Sequence, residues 1–376
     1  MPKVKVLIVD DSAVIRKVLG DLISEDAELE VIGTAANGKL ALSQIEVLNP
    51  DVITLDIEMP EMDGLQTIQE IRKRGIDTPV IMCSSLTAAG ASHTLDALAF
   101  GASDYVTKPS SHGVNTRQVV GEELLRKIKG LVRRNGGDAP SIVSTQVGGS
   151  RRTTTIVEVP TQAEHHSGSD VAVCAVAIGV STGGPNALQA LLPKLPATLN
   201  TPVFIVQHMP PLFTKLLADR LCAVSKIPVV EAQHGQEVKN GHIYLAPGGF
   251  HMEVKRTLGR VMIVLHEGEP ENSCRPAVDV LFRSVAAVYG NSSLAVMLTG
   301  MGQDGLKGCQ RIHQAGGIVV AQDRETSAVW GMPAAVVEAG LASAVVPLGE
   351  VADIISRGGI CEPNRRASQN ELRAGS

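Results

Sequence analysis

Two α/β units, each built on a mainly parallel sheet, are the fold this sequence predicts, and three observations predict it. Short apolar runs alternate with helical patterns from residue 4 to about residue 132, and again from residue 171 onward. Such alternation implies parallel strands with helices packed on both faces. Between the two stretches, residues 133–170 are rich in Gly, Ser, Thr and charge, a composition unsuited to a packed core. Aromatic residues make up only 2% of a chain that is 44% hydrophobic, so its cores must be built from Val, Ile, Leu and Ala. Buried parallel sheets use those residues.

The chain as a whole sets further bounds. Its 376 residues allow two or three domains at ~150 residues each. A net charge of −5 with no long basic run argues against nucleic acid as the principal partner. The cysteines (83, 174, 222, 274, 309 and 361) are scattered, with no CxxC pair and no His cluster at zinc spacing. Reduced thiols and a cytoplasmic location follow. Met1-Pro2-Lys3 leads straight into a strand and no apolar run reaches ~18 residues, so neither a signal peptide nor membrane insertion is expected.

In residues 1–132 the expected strands are Val4–Val9, Glu30–Ala35, Val52–Leu55, Pro79–Cys83 and Asp104–Val106. Helices are expected near 13–24, 38–48, 64–74, 91–100 and 116–134. Polar residues gather at the strand ends, where open α/β sheets carry function. Asp10 and Asp11 follow strand 1, Asp56 strand 3, Ser84 strand 4 and Lys108 strand 5. Crowded carboxylates repel unless a cation joins them, and oxygen ligands suit Mg²⁺. An Asp beside Mg²⁺ and a Lys ammonium can accept a phosphoryl group, since both cations neutralise charge on its oxygens. Any one of these residues alone also suits a helix start, a loop or a solvated surface.

Residues 133–170 are expected to form a flexible linker, because a stretch of ~35 such residues is long for a loop within a compact domain. Its one apolar interruption, Ile156-Val157-Glu158-Val159, suits a short docking strand within 155–160, and His165-His166 reads as solvated linker rather than a metal site. Residues 359–376 are polar and mixed in charge, and a disordered tail is expected there.

The catalytic unit is expected over 171–358. The apolar run Val171–Ile178 reads as a strand buried on both faces and leads into Gly179-Val180-Ser181-Thr182-Gly183-Gly184-Pro185. Pro185 suits the first turn of a helix, so Ser181 stands on a strand-to-helix turn. The stretch 179–183 fits G-x-S-x-G, the pattern that raises a nucleophilic serine above a sheet. Taken alone, the turn also suits a cofactor phosphate or close strand–helix packing. Two later strand candidates, Pro202–Val206 and Leu294–Leu298, end near His208 and Asp304. Parallel strands bring all three residues to one edge: a serine, an imidazole to take its proton and a carboxylate to fix the tautomer. By itself Asp304 also suits the cap of a helix over 305–314. Backbone N–H groups at Thr182 and Met301 are the oxyanion candidates. The order Ser, His, Asp departs from the α/β-hydrolase order.

Leu7-Ile8-Val9-Asp10-Asp11-Ser12, Asp56-Ile57-Glu58-Met59-Pro60, Asp63-Gly64, Ser84-Ser85 and Lys108-Pro109 make the first unit resemble the receiver domain of two-component response regulators. The resemblance implies a flavodoxin-like doubly wound sheet with Asp56 as phosphoacceptor. Mg²⁺ would be held by Asp10, Asp11, Asp56 and the Glu58 carbonyl, with Ser84 and Tyr105 as the switch pair beside Lys108. The second unit carries Ile178–Gly184, Gln207-His208-Met209-Pro210-Pro211, Arg275–Phe282, Leu298–Gly305 and Gly331-Met332-Pro333. On these it resembles the chemotaxis protein-glutamate methylesterases, the CheB family, with Val180 and Gln303 as small departures outside the triad. That implies hydrolysis of glutamate γ-methyl esters, and deamidation of glutamine, on methyl-accepting chemotaxis receptors, with no cofactor for the ester chemistry. It also implies a chemotaxis histidine kinase as phosphodonor. No helix-turn-helix or basic face follows the linker, which argues against a DNA-binding output.

Overall fold

The computed structural model describes residues 2–85, 87–108, 114–132 and 172–358. The expected linker, with its short strand and His165-His166, and the expected tail lie outside the described residues.

The first sheet comprises β1 (Val4–Val9), β2 (Leu29–Ala35), β3 (Val52–Asp56), β4 (Val80–Ser84) and β5 (Asp104–Thr107). Its order is β2-β1-β3-β4-β5, parallel throughout, which is the flavodoxin-like doubly wound arrangement. Five helices cover it: α1 (Ala13–Ser24), α2 (Gly38–Leu48), α3 (Gly64–Lys73), α4 (Ala88–Ala99) and α5 (Val114–Val132). Leu7 and Val9 of β1 and Ile53 and Leu55 of β3, two of the three inner strands, are buried. Helix starts follow side-chain caps at Ser12, Asn37, Asp63 and Thr87. α4 begins three residues earlier than the pattern suggests, because Thr87 caps the Gly90 N–H at 3.0 Å. The small residues Ala88-Ala89-Gly90 carry no apolar periodicity that would announce it.

The second sheet has seven strands in the order β14-β13-β12-β6-β7-β9-β8, again parallel throughout. Its strands are β6 (Ala175–Val180), β7 (Val203–Gln207), β8 (Val229–Glu231), β9 (Ile243–Leu245), β12 (Ser293–Met297), β13 (Ile318–Gln322) and β14 (Ala344–Val346). β10 (His251–Thr257) and β11 (Arg260–His266) form a separate antiparallel hairpin. The helices are α6 (Gly184–Leu191), α7 (Phe213–Val224), α8 (Val278–Tyr289), α9 (Leu306–Gln314), α10 (Met332–Glu338) and α11 (Leu348–Ser356).

The strand expected from Val171 instead starts at Ala175 and runs on through Gly179-Val180. Its neighbours set this register: Ser293 of β12 pairs with Ala175, and Val203 of β7 pairs with Val176. β12, β6 and β7 are adjacent, with Met297 opposite Gly179 and Val180 opposite Gln207. The segments leaving these three strands therefore meet at one edge.

Candidate active site and receiver pocket

Ser181 is the first residue beyond β6, on a turn that enters α6 through Gly183 (φ 76°) with Pro185 in the first helical turn. Its N–H donates to Thr299 O at 3.0 Å, tying the turn to the segment after β12. The turn packs so closely on β7 that a Cβ at Gly184 would stand 1.8 Å from Gln207 Oε1. Gln207 Nε2 in turn donates to Ser181 O (3.0 Å) and His208 O (3.2 Å), linking the backbones of both residues. Gln207 is buried, and its position at the end of β7, just before His208, is the one signal in the sequence that points to it.

His208 Nε2 lies 2.7 Å from Asp304 Oδ2. The Asp304 carboxylate is fully engaged. Oδ2 also accepts from Val278 N (2.6 Å), and Oδ1 accepts from Asn272 Nδ2 (2.8 Å) and Asp279 N (3.1 Å). The capping role left open for Asp304 over 305–314 is thus corrected: Gly305, in the left-handed region, precedes α9, while Asp304 caps the start of α8. Asp279, in the first turn of α8, accepts from Gly308 N of α9 at 2.7 Å, so the two helices exchange caps. Burial raises the Asp304 carboxyl, but His208 and the α8 amides outweigh it and hold it below its ordinary value. Burial likewise opposes charge on His208, yet Asp304 and the neighbouring Cys274 raise it above the usual imidazole range.

Ser181, Thr182, His208, Met301 and Asp304 line one cavity of about 360 Å³. Neither the Thr182 nor the Met301 N–H finds an acceptor among the described residues, which leaves both as possible donors to an oxyanion. Thr182 O accepts from Thr299 Oγ1 at 2.9 Å, which fixes that peptide. The sequence reading places Gln207 and Thr299 within matched stretches but gives them no role, and it does not reach Asn272. Asn272 sits in a turn, and nothing in its neighbourhood announces a contact 32 residues away.

The receiver residues also converge. Asp56 Oδ2 and Asp10 Oδ2 pair with Lys108 Nζ at 2.7 and 2.9 Å. Ligand oxygens of Asp10, Asp11 and Asp56 all lie within 4.8 Å of one another. Burial raises the Asp56 carboxyl, the Lys108 hydrogen bond opposes this, and Asp10 adds to the rise. Three carboxylates facing one ammonium form a donor set that suits a hard divalent cation, so these residues fit Mg²⁺. Glu58 stands on the loop just after β3, with an exposed side chain. Ser84 is buried and accepts from Thr94 Oγ1 of α4 at 2.7 Å.

A receiver-domain model from response regulators matches residues 6–117, and one described as CheB methylesterase matches residues 176–355. A protein-glutamate methylesterase/protein-glutamine glutaminase of Trichodesmium erythraeum is 46% identical over 365 residues, covering 95% of this chain and 99% of the relative. The chain belongs to the protein-glutamate methylesterase/protein-glutamine glutaminase family. Namesakes from Nocardioides sp. (49% identical, 95% of this chain and 96% of the relative) and Archaeoglobus fulgidus (43%, 94% and 97%) extend the likeness. It is accordingly a hydrolase with a receiver ahead of its methylesterase domain. No helix among the described residues is long and apolar enough to cross a membrane.

The methylesterase cleft is walled partly by the receiver. Tyr105 of β5 and Val119, Glu123, Arg126 and Lys127 of α5 line the same cavity as Ser181 and His208. Tyr105 stacks on Phe213 of α7 with centroids 4.9 Å apart. Lys127 Nζ lies 4.9 Å from the centre of the Tyr105 ring. From α7, Arg220 pairs with Asp96 at 2.8 Å and donates to Ser92 O at 2.9 Å, both residues of α4. Asn186 of α6 donates to Ala102 O at 3.2 Å.

Proposed function

We propose that this protein hydrolyses glutamate γ-methyl esters on chemoreceptors, and deamidates glutamine there, through Ser181, His208 and Asp304, under control of phosphorylation at Asp56. The observation that carries the chemistry is the convergence of those three side chains at the ends of adjacent β6, β7 and β12 in one cavity. In this reading His208 takes the Ser181 proton as Oγ attacks the ester carbonyl. Asp304 stabilises the imidazolium that forms. The oxyanion faces the Thr182 and Met301 N–H groups. The tetrahedral adduct collapses with loss of methanol, which receives the proton from His208. Water, deprotonated by the same imidazole, then releases glutamate and regenerates Ser181. With glutamine the leaving group is ammonia.

At the receiver, Asp10, Asp11, Asp56 and the Glu58 carbonyl would hold Mg²⁺, which supplies charge neutralisation for the incoming phosphoryl group. A chemotaxis histidine kinase is the expected donor, and Lys108 pairs with the charge on Asp56. The resting receiver covers the cleft. A phosphoryl group on Asp56 offers oxygens to the Ser84 hydroxyl, drawing it from Thr94 of α4. α4 carries the Ser92 and Asp96 contacts to Arg220, and Tyr105 carries the stack on Phe213, so both contacts loosen together.

The test is methanol release from methylated receptor by the purified chain with and without a small phosphodonor, beside a fragment lacking residues 1–150. Coupling of ~1–3 kcal/mol makes the fragment about 5–150-fold faster than the unphosphorylated chain. Asp56→Asn keeps the basal rate and loses the response, whereas Ser181→Ala releases no methanol. A fragment no faster than the resting chain would favour an interface in which the phosphorylated receiver supports catalysis.

A further inference from the structure

The segment 271–275 does more than enter α8. Asn272 and Ser273 are consecutive non-glycine residues in the left-handed region, at φ 52° and 62°. Such residues are uncommon, and a pair of them persists only where the surroundings hold it. Here two devices hold it. Glu271 and Cys274 exchange backbone hydrogen bonds of 3.1 and 2.9 Å, and Glu271 accepts a bidentate pair from Arg283 of α8 at 2.7 and 2.6 Å. The turn so fixed aims the Asn272 amide between two carboxylates. Nδ2 donates to Asp304 Oδ1 at 2.8 Å and to Asp279 Oδ2 at 3.0 Å. Both carboxylates are at least 98% buried, and each is the cap of the other's helix.

We infer that Asn272 is a positioning residue of the hydrolytic site, holding Asp304 in the orientation that serves His208 and screening it from Asp279. This rests on the triad reading above. Without the amide, Oδ1 of Asp304 keeps only the Asp279 N–H at 3.1 Å, and the carboxylate is free to pivot about its remaining bonds. His208, joined to the other oxygen, moves with it. Two neighbouring buried carboxylates then also lack the donor they share, and like charges at such a distance favour protonation of one of them. The other titratable groups facing Asp304 are His208, Glu271, Arg283 and the buried Cys309 thiol, and Lys307 lies beside Glu271. Glu271 and Arg283 compensate each other, so Asp279 is the unbalanced neighbour.

Glycine tolerates the left-handed backbone, so Asn272→Gly removes the amide without adding strain. Measured in the full chain on a γ-methyl-glutamyl peptide, it lowers kcat about 10- to 100-fold with KM little changed. The acidic limb of the kcat profile moves to lower pH, because an Asp304 displaced from His208 or partly neutralised stabilises the imidazolium less. The double variant Asn272→Gly/Asp304→Asn is no slower than Asp304→Asn alone. Asn272→Asp preserves the turn and places a third carboxylate there, and is at least as slow above pH 7, so it decides the matter if the glycine variant fails to fold. Either variant folding with unchanged kcat and pH limb overturns the role, as does a loss confined to KM or one that multiplies with Asp304→Asn. An active Asp304→Asn would instead sink the triad itself.

Discussion

At the scale of single residues, the site rests on one carboxylate with four hydrogen bonds. Asp304 accepts from His208, Asn272 and two amides of α8, so its charge is stabilised by a helix N-terminus as well as by the imidazole. This predicts the titration of His208. Burial alone lowers an imidazole, and the hydrogen bond to Asp304 leads the contributions that raise it, with Cys274 adding to them. In Asp304→Asn the Asp304 contribution goes while burial and Cys274 stay, so the His208 midpoint falls; ¹⁵N-imidazole NMR reads it directly. An unmoved midpoint would show that Asp304 does not govern His208. The sign for stability follows from linkage. A raised imidazole makes its stabilising contribution in full below the ordinary imidazole value, and that contribution fades as pH climbs through the raised one. The wild-type advantage in stability over Asp304→Asn therefore narrows as pH rises across that window.

At the scale of elements, the strand-to-helix junctions position the chemistry. The β6–α6 turn and the end of β7 interlock at Gly184 and Gln207. Gly184→Ala forces its Cβ into the Gln207 amide and Val180, a cost of about 1–3 kcal/mol for overpacking. It also pulls Gln207 from Ser181 O and His208 O. We expect a lower urea midpoint for the catalytic domain together with a large loss of hydrolysis; full activity in a destabilised protein would separate Gln207 from the site. These junctions also explain what the sequence makes legible. Asp10, Asp56, Lys108, Ser181 and His208 each stand at or just past the end of an apolar run, and in a parallel sheet that position is itself spatial information. The start of β6 is less legible, because Val171–Val173 are as apolar as the strand proper and only pairing with β12 and β7 sets the register. The exchange of caps between α8 and α9 is invisible in sequence. Asp304 precedes the helix it does not cap, and its partners are 25 or more residues away. Asn272 is hidden for a similar reason, since neither of its left-handed turn residues is a glycine.

At the scale of the whole molecule, the two domains meet through contacts that are individually small. The Arg220–Asp96 pair is about one-third exposed on each side, and a pair of that kind contributes ~0.2–1 kcal/mol. Arg220→Ala thus raises the basal hydrolysis rate about 1.5- to 5-fold. If phosphorylation loosens that contact as proposed, the substitution leaves the fully phosphorylated rate nearly untouched. A basal rate that falls instead would mean the receiver assists the site rather than covering it. The central position of β12 has a consequence for synthesis. This strand, from the last quarter of the chain, lies between β6 and β13 and carries Thr299, Met301 and Asp304 on the segment behind it. A ribosome that has delivered only Ser181 and His208 has delivered neither the proposed acid, Asp304, nor one of the proposed oxyanion donors, Met301. On the proposed triad the emerging polypeptide stays inert toward esters until β12 has threaded home, by which time the receiver, translated first, has had time to fold and to cover the finished cleft.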